Sequence, residues 1–357
     1  MKVLIAAGGT GGHIYPALAL AERIRQKYPD SEIGFFGSYD RMEHDVIPAA
    51  GYEFFGFHMH NPHGGVMDKV KCVGSLVRAQ RQCGQLIGTW KPDICVGFGN
   101  YISVPLIKAA HKAGIPTMLH EQNSFAGKAN RMLSIYADGI VGCYETNLKQ
   151  LGEKKTRILG NPSATLAADT AWNPAELEKM GLDSRRPFVL FMMGSLGSAS
   201  VSKVIDEAID RFDDYQVVIA AGASNEYVYR HESNGNVRIV EKVNGRNMLK
   251  GCEAAVLRAG ATTMAEIEAI GTAAILIPSP YVPNNHQYFN AMELVNRDAA
   301  MILEEKDLNA ESLAVMLNGL MKDRTRREQM KRNAVVEERK YAADRIIEFM
   351  EELTAHE

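Results

Sequence analysis

Cysteine is scarce in this 357-residue chain. It has five, and Cys72, Cys83, Cys95, Cys143 and Cys252 include no C-x-x-C pair. Dispersal of that kind excludes a disulfide framework and a thiolate zinc site, and it fits a reducing compartment. Neither sign of charge is in excess, since 40 Lys+Arg meet 43 Asp+Glu for a formal net charge of -3. A general basic field for nucleic acid is therefore excluded, and any anionic ligand has to be bound locally. Long apolar runs are missing as well, because no segment approaches the roughly 18–20 residues that span a bilayer. The apolar opening, Val3 to Ala7, runs straight into glycines and is too short for a signal peptide. A cytoplasmic protein is expected, soluble or lying on a membrane face. Metal ligands are few: His58, His60 and His63 share a loop, but no neighbouring carboxylate or cysteine completes a set.

The remaining composition is that of an ordinary globular protein, 46% hydrophobic and 23% charged, with a length that suits two domains. Short apolar runs ending in small residues alternate with longer amphipathic stretches, the pattern of parallel sheets covered by helices. Strands are expected at 2–7, 32–37, 53–57, 93–97, 116–120 and 138–142, with helices at 16–28, 41–50, 66–90 and 104–113. Pro16 is placed in a first turn, where its missing N–H is harmless. After Gly160-Asn161-Pro162, the stretch 163–173 reads as a linker. A second series of strands follows at 188–193, 216–220, 237–241, 254–258, 274–278 and 299–303. Both series open with strand, glycine turn and helix. The expected fold is therefore α/β, two doubly wound Rossmann-like domains facing one another across a cleft, 1–162 and 163–336. The tail, 337–357, is helical and is expected to pack back on the first domain through Tyr341, Ile346, Ile347 and Met350.

Four polar segments stand just after strands, where ligands collect in open α/β sheets. The first, Gly8-Gly9-Thr10-Gly11-Gly12-His13, lets a ligand approach the backbone and a helix N-terminus. It is not G-x-G-x-x-G, because Ile14 stands where glycine is needed, and no lysine near His13 makes it a P-loop. No acid closes the second strand at Phe36-Gly37-Ser38 to hold an NAD ribose, so dehydrogenase and P-loop ATPase chemistry are set aside. A helix N-terminus favours the neutral, proton-accepting imidazole, so His13 is either a general base or a capping residue. His120-Glu121-Gln122-Asn123-Ser124 suits a hydroxyl-rich ligand or a polar turn that caps a helix. In Arg258-Ala259-Gly260-Ala261-Thr262-Thr263-Met264-Ala265-Glu266, the small residues admit phosphates and Glu266 can accept from paired ribose hydroxyls. Thr262 or Thr263 with Glu266 also meets a capping-box pattern. The fourth segment, 284–290, brings amides and His286 to a helix start and fits a sugar or an ordinary polar cap. The chain has no Asp-x-Asp pair, so a sugar-nucleotide site here has to neutralise phosphate without a bound divalent ion.

From Lys69 to Pro92 the chain carries Lys69, Lys71, Arg78, Arg81 and Lys91 and no acid, beside the apolar spacing Val66, Val70, Val73, Val77. A basic amphipathic helix of this kind lies on an anionic bilayer, or is a core helix with a solvated basic face.

Together these segments resemble the MurG-type family of bacterial peptidoglycan glycosyltransferases, within the GT-B class. The resemblance runs from Met1 to about the final helix. It rests on Gly8 to His13, Gly99-Asn100-Tyr101-Ile102-Ser103, His120-Glu121-Gln122-Asn123, Gly160-Asn161-Pro162 and Gly260 to Glu266. That family moves N-acetylglucosamine from UDP-N-acetylglucosamine to the muramyl 4-hydroxyl of lipid I, an undecaprenyl-pyrophosphoryl-muramyl-pentapeptide. The anomeric centre is inverted and lipid II results.

The resemblance implies that reaction here, with no cofactor and no metal, at the cytoplasmic face of the cell membrane on an anionic surface. His13 becomes the base, with Thr10, Gly11 and Gly12 near the donor and the acceptor pyrophosphate. Asn123 meets the donor sugar, Ser195 the diphosphate, Val243 the uracil, Glu266 the ribose and Gln287 the sugar hydroxyls. Gly260, Ala261, Thr262, Thr263, Met264 and Ala265 line the donor. Ser163 and Ala164 stand where the family usually carries an arginine, so a donor phosphate contact is either missing or supplied elsewhere, for example by Arg258 or Lys203. The alternatives on the same fold are a UDP-N-acetylglucosamine 2-epimerase and a transferase with another lipid acceptor. A sugar-nucleotide binding subunit without turnover is a third.

Overall fold

The computed structural model describes residues 1–58, 66–194, 197–223, 225–233 and 235–355, with side chains described throughout except at 66, 67, 69 and 70. Ser195, His60 and His63 lie outside the described residues. The chain forms two units, Met1–Thr165 joined by Tyr341–Glu357, and Leu166–Lys340.

The first unit holds β1 (Lys2–Ala6), β2 (Glu32–Ser38), β3 (Glu53–Phe57), β4 (Ile94–Gly97), β5 (Thr117–Glu121), β6 (Gly139–Gly142) and β7 (Thr156–Ile158). They pair in the order β3-β2-β1-β4-β5-β6-β7, and every pairing is parallel. Strands covered by helices on both faces read as near-continuous apolar runs. Val3, Leu4, Ile5 and Ala6 of β1 are accordingly all without exposure. In the second unit β8 (Phe188–Met192), β9 (Gln216–Ala220), β10 (Val237–Val240), β11 (Ala254–Leu257), β12 (Ala274–Leu276) and β13 (Ala300–Ile302) pair in parallel in the order β10-β9-β8-β11-β12-β13. In each unit the strand order reverses beside the first strand, between β1 and β4 and between β8 and β11. Ligands of doubly wound sheets bind outside the carboxyl ends at that point. The turns after β1, β4, β8 and β11 are thereby the places to examine.

Several expectations need correction. The first helix starts at Gly11 and runs to Lys27, so Pro16 lies in its interior rather than its first turn. It leaves the Gly12 carbonyl without a helical donor. The stretch expected as a linker contains a helix, Ser163–Asp169. Asn161 Oδ1 accepts from the Ser163 N–H at 3.0 Å, and Ala164, Leu166 and Ala167 are buried, so a cap and an alanine-rich apolar face outweigh the turn-like composition. Strand β7 was too short a run to stand out.

The tail helix, Ala342–Thr354, buries Ile346, Ile347, Phe349 and Met350 in the core around β1. It is fastened by Arg23 to Asp344 at 2.7 and 2.9 Å and by the Ala343 N–H to Thr165 Oγ1 at 2.9 Å. Tyr341 is 60% exposed and makes no such contribution. Helix Val66–Trp90 buries Cys72, Ser75, Ala79, Cys83 and Ile87, while Val73 and Val77 face outward, 60% and 48% exposed. The valine spacing therefore does not mark the core face, and Lys71, Arg78 and Arg81 are exposed beside it. Among the described residues no helix is long and apolar enough to cross a membrane.

Candidate functional site

In the first unit the chain leaves β1 through Gly8, Gly9 and Thr10 and enters the helix at Gly11. Gly9 has φ of +85°, and a Cβ there would strike the Asn100 amide of the turn after β4. Only glycine lets the two turns lie so close. A carboxylate holds the first turn from behind. Glu43 has no exposed surface, and it accepts from the Gly9 N–H at 3.0 Å and the Ser38 N–H at 3.1 Å.

Thr10 is the extended N-cap residue, but its side chain makes no cap bond. Its Oγ1 stands instead 2.9 Å from Nδ1 of His13. His13 is thus not the helix cap, and it lies half-buried between Thr10 and the β4 turn. A Cβ on Gly99 would stand 3.3 Å from both the His13 ring and Asn130 Nδ2. That backbone is what brings the glycine turn and the loop after β5 together. Thr10 and Gly12 are exposed and Gly11 half-buried, so the helix start is open to a ligand.

The polar run His120 to Ser124 begins within β5 rather than after it and is mostly turned inward, which favours the polar-turn alternative over the ligand-facing one. His120 is fully buried, stacks on Phe98 with ring centroids 4.9 Å apart, and meets the Gly160 carbonyl at 3.0 Å through Nε2. Burial pushes its pKa down to about 4 against the opposing Gly160 bond, so it is neutral. Gln122 donates to the Phe98 carbonyl at 3.0 Å. Glu121 accepts from the N–H groups of Asn123 and Gly127 at 3.0 and 2.9 Å and from Asn130 Nδ2 at 2.9 Å. Its burial still raises its carboxyl pKa. These three residues build the loop, and Asn123 alone of the four-residue motif is partly exposed.

In the second unit the turn after β8 includes Gly194 and Gly197 and ends at Ser198, the N-cap of helix Ala199–Ala208. Arg258, at the end of β11, faces this turn but is not offered to a ligand. Its guanidinium pairs with Glu305 at 2.6 Å and donates to Ser198 Oγ at 2.7 Å and to the Ile277 carbonyl at 3.0 Å. The expectation that Arg258 supplies a phosphate contact is therefore not supported by its geometry. Lys203 is exposed on the helix.

After β11 the helix Ala261–Ile270 begins at an N-cap Gly260 that provides no side-chain bond. Thr262 and Thr263 lie within the helix, so the capping-box pattern is not formed. Thr262 Oγ1 is buried without a hydrogen-bond partner. Glu266 is 9% exposed, with Arg246 at 3.8 Å as its ion-pair partner. Burial pushes its carboxyl up to about 7 and Arg246 only partly offsets this. A carboxylate held at the edge of ionisation is stabilised by any pair of hydroxyls that donates to it. Ala261, Met264 and Ala265 are buried and Gly260 and Thr263 half-buried, forming the small-residue floor of this turn.

Val243 packs partly against the core one residue before the N-cap Asn244. Gln287 uses Oε1 to accept from the Ser279 N–H at 2.9 Å, which leaves its amide hydrogens as the groups it can offer. His286 meets the Pro283 carbonyl at 2.9 Å, and burial lowers its pKa. Among the described residues no three His, Cys, Asp or Glu side chains converge as metal ligands, and His58 stands 3.2 Å from Asp40. Sequence reasoning missed Glu43, Asn130 and Glu305, whose local patterns look like ordinary solvated helix or loop.

The chain matches the glycosyltransferase family 28 N-terminal domain over residues 3–141 and the family 28 C-terminal domain over 188–346. It is 36% identical over 343 residues to the UDP-N-acetylglucosamine--N-acetylmuramyl-(pentapeptide) pyrophosphoryl-undecaprenol N-acetylglucosamine transferase of Pediococcus pentosaceus, covering 94% of each chain. The protein of the same name from Limosilactobacillus reuteri is 35% identical over 361 residues, covering 98% of each. Among solved structures, MurG of Acinetobacter baumannii superposes with a TM-score of 0.74 at 22% identity over 98% of this chain and 99% of that one. A putative UDP-N-acetylglucosamine 2-epimerase from Listeria monocytogenes gives 0.68 at 13% identity over 97% and 94%. The structural neighbours share the fold, two parallel-sheet α/β domains of the GT-B kind. The sequence matches extend across both domains, and this chain belongs to glycosyltransferase family 28.

Proposed function

We propose that the chain transfers N-acetylglucosamine from UDP-N-acetylglucosamine to the muramyl 4-hydroxyl of lipid I, giving lipid II for peptidoglycan synthesis. The observation that carries this reading is the identity of 34–36% over nearly the whole chain to curated enzymes named for that transfer. The first unit takes the acceptor and the second the UDP-sugar. The acceptor hydroxyl attacks the anomeric carbon directly as His13 removes its proton, which inverts that centre, and UDP leaves. Thr10 Oγ1, 2.9 Å from Nδ1 of His13, can accept an Nδ1 proton, the tautomer in which Nε2 is the basic nitrogen that a general base needs.

Charge on the departing diphosphate is met by backbone N–H groups and the helix starts near Ser195 and Gly260–Ala265, with Thr262 Oγ1 a further donor. In the second unit Glu266 takes the ribose hydroxyls, Val243 the uracil and Gln287 the sugar hydroxyls; in the first, Thr10, Gly11 and Gly12 serve the pyrophosphate and Asn123 the donor sugar. The step needs no metal ion.

The acceptor is lipid-linked, so the enzyme works as a peripheral protein on the cytoplasmic face of the cell membrane. Exposed Val73 and Val77 beside Lys71, Arg78 and Arg81 support docking on anionic lipid through helix Val66–Trp90. The test is incorporation of labelled N-acetylglucosamine into lipid I, with and without anionic vesicles. Lipid II formation that rises with such vesicles is expected. Conversion of the donor alone to N-acetylmannosamine would replace this reading with the epimerase.

A further inference from the structure

The peptide that joins Ala259 to Gly260 is the link between β11 and helix Ala261–Ile270. On the strand side the Arg258 N–H meets the Met192 carbonyl at 3.3 Å, and on the helix side the Met264 N–H meets the Gly260 carbonyl at 3.0 Å. Ala259 has no exposed surface, so its carbonyl needs a donor inside the protein. Asn290 supplies one, with Nδ2 3.3 Å from the Ala259 oxygen. A carbonyl can only accept, which fixes the NH₂ end of the amide as the end that faces it. Asn290 also has no exposed surface, and it lies on helix His286–Val295 one turn after Gln287. Side chains at that spacing are neighbours on a helix. One helix therefore reaches the turn after β12 through Gln287 and Ser279, and the turn after β11 through Asn290 and Ala259.

The other half of the same peptide is the Gly260 N–H. In a trans peptide the C=O and N–H share a plane and point opposite ways, so the bond from Asn290 fixes where the Gly260 N–H is aimed. Gly260 stands open as well. A Cβ there would meet no described atom within 4 Å, and its φ of −68° is one that any residue adopts. Gly9 has to be glycine because its φ is positive and Asn100 crowds it, but neither cause applies at 260. Close approach of a ligand to the backbone is a use of glycine that does apply.

We propose that Asn290 is a positioning residue for the donor, which by holding the Ala259 carbonyl aims the Gly260 N–H at the diphosphate. This rests on the reading that the second unit binds UDP-N-acetylglucosamine. Asn290 acts through the peptide rather than on the phosphates. Without its bond the peptide plane can turn, since glycine on one side tolerates either sense of rotation. Such a turn swings the N–H off the phosphate and leaves strand and helix where they are.

The experiment compares affinities for UDP and for uridine, which lacks the phosphates, in the full-length protein. Asn290→Ala removes the donor, and UDP affinity should fall about tenfold, the effect of one lost hydrogen bond to a charged group. Uridine affinity should not change, whereas a packing role alone would weaken both ligands alike. Asn290→Ser, whose hydroxyl is too short to reach the carbonyl, should show the same selective loss. Should neither variant fold, isotope-labelled glycine in the wild-type protein answers the question. The Gly260 amide proton, identified by its absence in Gly260→Ala, should move downfield with UDP and much less with uridine. A Gly260 amide that responds equally to the two, or equal losses for UDP and uridine in the variants, would overturn the proposal. As a control, Glu266→Ala should weaken UDP and uridine together. If the wild-type protein binds no UDP, the donor reading falls and this proposal with it. If it binds UDP and the UDP-to-uridine ratio is unmoved in the Asn290 variants, the positioning role falls alone.

Discussion

The turn after β1 and the turn after β8 hold equivalent places in their sheets, and each is braced from behind by a buried charge of opposite sign. Glu43 accepts the N–H groups of Gly9 and Ser38, while Arg258 grips Ser198 and pairs with Glu305. Both charges are spent inside the protein. Each turn leads into the start of a helix, Gly11–Lys27 and Ala199–Ala208, the common currency of anion binding in this fold. The difference lies in one side chain, because His13 joins the first turn and no titratable group with its geometry joins the second. The comparison teaches that, in the proposed reaction, the two halves reuse one scaffold for different work, proton transfer in one and the holding of a leaving diphosphate in the other.

The sharpest way to break that division is His13→Ala. If the first turn carries the base, turnover with a soluble lipid I analogue should fall by about 10²- to 10⁴-fold, the usual contribution of general base catalysis. The affinity for UDP should stay as it was. A loss of turnover smaller than tenfold would move the base elsewhere and leave the two turns chemically equivalent.

The braces can be tested next. Truncating one member of a buried ion pair strands the other, so Arg258→Ala should cost about 3 kcal/mol of folding stability, read as a shifted denaturant midpoint. Replacing the pair, Arg258→Met with Glu305→Leu, should recover at least half of that loss, since buried pairs are often replaceable by apolar groups of similar volume. UDP affinity in the double variant should stay within about threefold of wild type, as the guanidinium is a brace and not a phosphate ligand. A loss of UDP affinity that persists when stability returns would show Arg258 on the phosphates and undo the symmetry with Glu43.

These braces also mark where sequence reasoning stops. The alternation of short buried strands and amphipathic helices was legible because parallel strands covered on both faces must be apolar throughout, as Val3 to Ala6 are. The glycine turns were legible because glycine and small residues directly after a strand have a local cause. Family 28 membership and the transfer assigned to its named relatives agreed with motifs spread along the chain. Glu43 was not legible, because its partner Gly9 is 34 residues away. A polar residue on a helix reads as solvated until the fold supplies its donors. His120, Glu121 and Gln122 were ambiguous in the opposite sense. Polar side chains at a strand end look alike in sequence whether they face a ligand or, as here, build the loop behind it.

The smallest expected effect, and the most specific to the second turn, is the pH dependence of donor affinity. The Glu266 carboxyl sits at about 7 because burial penalises its charge and Arg246, at 3.8 Å, only partly compensates. Ribose hydroxyls donate to the ionised form, so binding is lost as pH falls through 7. Between pH 8 and pH 6 the ionised fraction drops about tenfold, and the affinity for UDP-N-acetylglucosamine should drop with it. The sugar diphosphate diester has no group of its own titrating in that range. Folding stability moves the other way, since an unfolded glutamate ionises near 4.3. The contribution of this carboxyl to stability is complete below that pH and is lost as pH rises through 7. Opposite slopes for affinity and stability are the signature of one raised carboxyl serving a ligand. Glu266→Gln should flatten both, while His13→Ala should flatten neither. A donor affinity that is independent of pH in the wild-type protein would remove Glu266 from the ribose.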